Sequence, residues 1–229
     1  MRHSAVIIGS SGGIGGALAD RLDSDAAVTV HRLGRSETIR IDLTDEHSVV
    51  KAAEQLSNSG VKPDLVIVAT GLLHQDSLGP EKSLRELDPE WMLENYRINA
   101  VGPALIAKHF LPLMPRNERT VFAVLSARVG SISDNRLGGW HSYRASKAAL
   151  NMLVRNISIE WQRKNPQAII VGLHPGTVET GLSAPFKGNP ATERFAPAKA
   201  AEQLVSVLDG LNPEQSGQLF DFNGELIAP

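Results

Sequence analysis

The stretch A-V-I-I-G-S-S-G-G-I-G-G-A-L-A-D, Ala5 to Asp20, decides the fold. A short apolar run, compact enough for a strand, enters a glycine-rich turn, and the turn opens a segment that reads as a helix over 13–23. Glycine suits such a turn because the chain must take unusual backbone angles and approach a ligand closely. The helix that follows offers free N–H groups and the positive end of its dipole to a pyrophosphate. Gly9, Gly13 and Gly15 stand as G-x-x-x-G-x-G, a departure from the common G-x-G-x-x-G spacing; with Ser11 and Ile14 they form the candidate phosphate-binding turn. A flexible turn with no ligand is the alternative. The strand before it and the helix after it favour a dinucleotide.

Working outward, Val- and Ile-rich runs at 5–9, 27–31, 38–42, 64–69, 120–126, 168–174 and 218–222 read as strands covered on both faces. Helical segments are expected near 13–23, 45–57, 89–113, 141–164 and 197–209, with Asp45 and Asp88 as N-caps and Pro89 at a first helical position. Strands alternating with helices predict crossover units on a parallel sheet: one α/β domain over 1–229, doubly wound, with about seven strands. The stretch 178–196, rich in Gly, Pro, Ser and Thr, is long for a loop in a compact domain and reads as a substrate lid.

The totals narrow the classes. A chain of 229 residues with 42% hydrophobic and 21% charged residues fits one domain with its own core. A formal net charge of -2 points to neither nucleic acid nor an anionic membrane as partner. The absence of cysteine removes disulfides, thiolate nucleophiles and Cys-type zinc sites together. The N-terminal apolar run is too short for a secretory signal and no window approaches a membrane span, so a soluble, cytoplasmic protein is expected. The histidines at 3, 31, 47, 74, 109, 141 and 174 do not adopt metal-ligand spacing, and a G-x-S-x-G nucleophile elbow is missing. No metal is expected.

The end of the second strand bears on which dinucleotide is bound. An acidic residue there would accept from the adenosine 2′-hydroxyl and repel a 2′-phosphate. The chain instead reads V-T-V-H-R-L-G-R-S, with Arg32 and Arg35 and no carboxylate before Glu37. Both arginines could be solvated loop charges. With the acid missing, their planar donor forks favour NADP over NAD. Asp42 either accepts from the adenine amino group or caps the next helix.

In H-S-Y-R-A-S-K, Tyr143 and Lys147 are four residues apart, hence on one helix face. A phenol titrates near pH ~10 and needs help to act at neutral pH, and a cation one turn away favours its ionised form. The segments 91–114 and 141–164 carry wide apolar stripes, which either stay buried in the monomer or join subunits; a homodimer or homotetramer through them is expected.

These pieces resemble, in order and over essentially the whole chain, the short-chain dehydrogenase/reductase family, in particular the branch with C-factor-like and sniffer-type carbonyl reductases. The matching residues are Gly9-x-x-x-Gly13-x-Gly15, Asp42-Leu43, Val68-Ala69-Thr70-Gly71, Asn99 in R-I-N-A-V-G-P, Tyr143-x-x-x-Lys147, and P-G-T-V-E-T from Pro175 to Thr180. The resemblance implies a Rossmann domain that transfers hydride between NAD(P) and an alcohol or carbonyl carbon. It implies that Tyr143 protonates the carbonyl oxygen, that Lys147 lowers the tyrosine pKa and holds the nicotinamide ribose, and that Asn99 anchors a water in a proton relay. Pro175, Gly176, Val178 and Thr180 would lie against the nicotinamide, with Gly71 leaving room beside the adenosine ribose. The family places a serine about thirteen residues before the tyrosine, as the second serine of S-S-x-x-G. Here L-S-A-R-V-G-S puts Ala127 in that slot, leaving Ser126 as the expected oxygen-positioning residue and Ser131 in reserve. The displaced serine also keeps open a second reading, a dinucleotide-binding sensor or signalling protein with vestigial chemistry.

Overall fold

The computed structural model describes residues 3–76, 78–186 and 193–229. The first apolar run forms β1 (Ser4–Ile8), and the glycine turn leads into α1 (Gly13–Asp23). The chain continues through β2 (Thr29–Gly34), β3 (Ile39–Arg40), α2 (Glu46–Asn58) and β4 (Leu65–Val68). Then follow α3 (Pro89–Tyr96), α4 (Gly102–Phe110), β5 (Thr120–Leu125), α5 (His141–Gln162) and β6 (Ala168–His174). β7 (Thr177–Val178), β8 (Arg194–Phe195), α6 (Pro197–Gly210) and β9 (Leu219–Asp221) complete it. The expected caps form: Asp45 accepts from His47 N at 3.0 Å and Asp88 from Trp91 N at 2.8 Å.

The seven-stranded sheet has the order β3-β2-β1-β4-β5-β6-β9 and every pairing is parallel. Alternation along each strand fills both faces with apolar side chains. Val6, Ile8, Val66, Val68, Phe122, Val124 and Ile170 meet α2, α4 and α5, while Ala5, Ile7, Leu65, Ile67, Val121, Ala123 and Ile169 meet α1 and α6. Burying a Leu, Ile or Phe of this kind contributes about 2 kcal/mol, so this double-sided core holds the strand ends in register. Strand order reverses between β1 and β4, the place where open parallel sheets bind ligands beyond their carboxyl ends.

Two elements differ from expectation. The segment 89–113 is not one regular helix: a π-helical turn over Arg97–Val101 separates α3 from α4, with Gly102 N–H donating to Arg97 O five residues back. Such turns recur at functional sites because they rotate one side chain out of the helical register. The stretch 178–196, read as a loop, contributes to a two-stranded parallel pair that begins just before it, Thr177 and Val178 against Arg194 and Phe195; its residues 187–192 lie outside the described residues. The pair was missed because two-residue strands leave no periodicity to read.

Candidate active site

A cleft of about 670 Å³ opens at the switch point between β1 and β4. Its lining includes Gly9, Ser11, Arg35, Asp42, Leu43, Ala69, Thr70 and Gly71 from the residues expected at a dinucleotide, together with Gly12 and Gly34. The glycines are required by space. Gly9 has φ +85°, and a Cβ there would stand 2.9 Å from Thr70 Cγ2. A Cβ on Gly15 would collide with Gly9 O, and one on Gly13 would come within 2.7 Å of Thr180 Cγ2. Thr180 therefore lies on the glycine turn, and Val178 packs with Ile14 and Phe195. The P-G-T-V-E-T segment and the glycine turn, far apart in sequence, form one wall.

At the strand ends the arginines separate. Arg35 lines the cleft. Arg32, expected beside it, does not: its guanidinium pairs with Asp20 at 2.8 Å and Asp23 at 2.7 Å on α1, and these carboxylates raise its pKa further. Arg32 lies within β2, where α1 supplies the acids, whereas Arg35 follows the strand end in the turn that lines the cleft. Asp42 accepts from both Thr44 N at 2.9 Å and Thr44 Oγ1 at 2.7 Å, which hold its pKa down; the helix cap is Asp45 instead.

Past Gly71 the cleft meets the expected proton-handling residues. A Cβ at Gly71 would stand 3.7 Å from Asn99 Oδ1 and 3.8 Å from Lys147 Nζ, so this glycine lies between the cleft and α5. Asn99, fully buried in the π-helical turn, clamps the loop after β4: Oδ1 accepts from Leu72 N at 2.7 Å and Nδ2 donates to Leu72 O at 2.8 Å. The same amide reaches Ser146 Oγ at 3.1 Å, and Ser146 in turn donates to Tyr143 O at 2.8 Å. The side chain thus ties the loop to α5, a role that the motif alone did not reveal.

Tyr143 and Lys147 share one face of α5, and Lys147 Nζ lies 5.7 Å from the Tyr143 ring centroid. The ammonium donates to Leu125 O at 2.8 Å, which leaves two of its three protons for other acceptors. Gly130 makes room for this helix: a Cβ there would stand 2.8 Å from Lys147 Cβ. Burial dominates both titrations. It pushes the phenol up to about 12 and the ammonium down to about 8. Burial thus acts against the lowering of the tyrosine pKa expected from Lys147.

The approach to Tyr143 is covered. Leu73, Ala127, Trp140, Leu182 and Phe186 pack around it, and Trp140 contacts both the Tyr143 ring (centroids 6.3 Å) and Phe186 (5.5 Å). His74 touches Phe186 and its Nε2 lies 3.1 Å from Gly181 O, which ties the start of the expected lid to the loop after β4. Gly138, Gly139 and Trp140 are three consecutive residues with positive φ, an arrangement costly for tryptophan. Glu81, buried at 2% exposure, holds this turn: its backbone O accepts from Trp140 N at 2.5 Å, and its carboxylate accepts from Ser142 N at 3.1 Å and from Ser142 Oγ. A residue 61 positions from Ser142 thus caps α5, with no local signal in the sequence to announce it.

The serine expectation is also corrected. Ser126 Oγ donates to Asn151 Oδ1 at 2.6 Å on the α5 side of the sheet, while Ala127 packs against Tyr143. Ser131 Oγ accepts from Asp134 N at 3.1 Å and lies 3.4 Å from Pro229 O. The one-residue offset turned the side chain to the other face, as extended backbone dictates. Among the described residues no cluster of His, Asp or Glu could hold a metal ion.

A parallel sheet with this order, a glycine cradle at its switch point and a buried Tyr/Lys helix beside it define a dinucleotide-dependent oxidoreductase of the Rossmann type. The family model described as enoyl-(acyl carrier protein) reductase matches residues 13–206, and the chain belongs to the short-chain dehydrogenase/reductase family. It is 34% identical over 187 residues (82% of this chain, 77% of the relative) to 1-hydroxy-2-glutathionyl-2-methyl-3-butene dehydrogenase of Rhodococcus sp. strain AD45. It is 36% identical over 143 residues (62% of this chain, 81% of the relative) to C-signal of Myxococcus xanthus. Its fold is similar to that of NADPH-bound carbonyl reductase from chicken fatty liver, with TM-score 0.85 at 23% identity, covering 99% of this chain and 94% of that one. No helix among the described residues is long and apolar enough to cross a membrane.

Proposed function

We propose that the protein reduces small, largely apolar carbonyl compounds with NADP(H) preferred over NAD(H), or oxidises the corresponding alcohols, with Tyr143 as the proton donor. The observation that carries the reading is the approach of Asn99 and Lys147 to Gly71 at the inner end of the cleft, with Tyr143 beside Lys147 and a glycine turn whose Gly9, Gly13 and Gly15 leave no room for a Cβ. Gly9, Ser11, Gly13 and the α1 N-terminus would hold the pyrophosphate, Arg35 the 2′-phosphate, Lys147 the nicotinamide ribose, and Val178 and Thr180 the carboxamide side. A bound nicotinamide supplies hydride chemistry. In reduction Tyr143, protonated through the neutral range, gives its proton to the carbonyl oxygen, and the Lys147 ammonium stabilises the phenolate left behind. Asn99 holds the Leu72 loop and Ser146 so that both side chains keep their places, and it would anchor a water in a proton relay to Lys147. Trp140, Leu182 and Phe186 exclude bulk water and present an apolar wall. A panel of aldehydes, ketones and quinones followed by NADPH absorbance, with NADH in parallel, tests this. Faster turnover with NADH removes the arginine argument.

Ala127 favours a second reading, since no hydroxyl from 126 or 127 points at Tyr143. A sensor that binds dinucleotide and turns nothing over would show tight NADPH binding and no oxidation across the same panel. Exposed Leu93, Val101, Met152 and Ile159 on the α3 to α5 side fit a homo-oligomer face. Light scattering of wild type and of a Leu93→Arg/Met152→Arg variant tests it: a monomeric wild type ends that reading.

A further inference from the structure

Three residues other than glycine have positive φ among the described residues, and two of them, Asp76 and Asn117, are of the types that adopt it readily. Trp140, at φ +51°, is the exception. Its backbone is pinned on both sides: the N–H donates to Glu81 O at 2.5 Å, and the C=O accepts from Arg144 N at 2.8 Å as α5 begins. A bulky residue keeps this conformation only where its surroundings hold it, and such strain gathers at ligand-binding positions. Here it places one ring. The indole meets Tyr143 edge-on, with centroids 6.3 Å apart and planes at 71°, and it meets Phe186 at 5.5 Å and 58°. Phe186 in turn meets the His74 ring at 5.7 Å and 62°, and His74 lines the cleft. Aromatic rings therefore run without a break from the phenol to the cleft. Ala127 packs in the same cluster and supplies no hydroxyl, so a carbonyl group at Tyr143 is oriented by what its other substituent touches.

We propose that Trp140 is the specificity-determining residue of the substrate pocket and that the substrate class is aryl carbonyl compounds: aldehydes and ketones in which a flat ring adjoins the C=O group. That ring packs against the Trp140 and Phe186 rings in the edge-to-face or offset manner that a puckered, saturated ring cannot reproduce. The contact turns the carbonyl oxygen toward Tyr143 in place of the missing hydroxyl. Hydride adds to the carbonyl carbon and the Tyr143 proton to its oxygen, leaving an aryl-bearing alcohol and the oxidised dinucleotide. The proposal rests on the reading of the site as an NADP(H)-dependent reductase and narrows it, because apolar character alone does not separate a flat ring from a puckered one.

Acetophenone and cyclohexyl methyl ketone share one carbon skeleton, and their kcat/KM values are compared by NADPH absorbance. Trp140→Asn, whose side chain tolerates the left-handed backbone, is expected to lower the ratio of acetophenone to cyclohexyl methyl ketone about tenfold. Trp140→Phe, which restores a flat ring, is expected to recover most of that ratio. Loss of packing alone would slow both ketones together. An unchanged ratio in Trp140→Asn, with wild-type circular dichroism, therefore overturns the proposal. A wild type that reduces other carbonyl compounds but neither ketone overturns it as well and leaves the reductase reading standing. A wild type inert toward every carbonyl compound tried removes both.

Discussion

Ala127 lies against Tyr143, and the neighbouring Ser126 hydroxyl donates to Asn151 instead. The carbonyl oxygen that Tyr143 would protonate therefore lacks a hydroxyl from the strand end. Removing one such donor from an oxygen-stabilising site costs about 10²–10³ in turnover where it is present. Ala127→Ser is expected to raise kcat for carbonyl reduction about tenfold, with Ser126→Ala changing it less than about threefold. Steady-state kinetics on one accepted substrate decides this. A collapse of kcat in Ser126→Ala would restore Ser126 to the chemistry.

Tyr143, at about 12, stays protonated throughout the working range, and Lys147, at about 8, does not. Since kcat/KM reports groups in the free enzyme, it is expected to fall as pH rises through about 8, where the ammonium loses its charge. Tyr143→Phe is expected to lower kcat by about 10²–10⁴ while the NADPH dissociation constant stays within twofold. A flat profile from pH 6 to 10 would mean that the charge on Lys147 is not used.

The buried Lys147 also weakens the fold at neutral pH. Its pKa is about 8 when folded and 10.5 in the reference state, so between these values the unfolded chain binds more protons and stability rises with pH. Across pH 7 to 9.5 this gain is about 2 kcal/mol, and Lys147→Met lacks it. Urea unfolding at the two pH values is expected to show a variant that is inactive, and more favourable relative to wild type at pH 7 than at pH 9.5. Tyr143 titrates in the folded state above this window and does not obscure the sign.

Much of this fold was legible because both-face burial writes itself as continuous Val and Ile runs, and each of the seven runs became a strand of the sheet. That Gly71, Asn99, Tyr143 and Lys147 come together near the glycine turn was legible because spacing and position in the strand–helix order carry it. What stayed hidden depends on distant packing. Arg32 was read with Arg35, yet α1 carboxylates claimed it. The π-helical turn at Asn99 and the partnership of Asn99 with Ser146 need three-dimensional register. Glu37 and Glu81 look like surface acids in the chain because their partners, Ser10 and Ser142, come from remote segments.

Glu81 supplies the last prediction. The α5 N-terminus has no side-chain cap of its own at Trp140, whose left-handed backbone would otherwise leave Ser142 N–H without an acceptor. Glu81 meets that need with a buried carboxylate at the positive end of the helix dipole. Glu81→Ala strands both the Ser142 N–H and its hydroxyl in a dry environment, which costs about 2–3 kcal/mol. For a domain of this size the melting temperature should drop by about 5–10 °C. Because Tyr143 is the next residue on the same turn, kcat is expected to fall with the NADPH dissociation constant unchanged. Glu81→Gln, which keeps an acceptor for Ser142 N–H, should recover most of the melting temperature. If Glu81→Ala melts as the wild type does, the cap is redundant and the strained Gly138–Trp140 turn is held by its own packing against Phe186 and Tyr143.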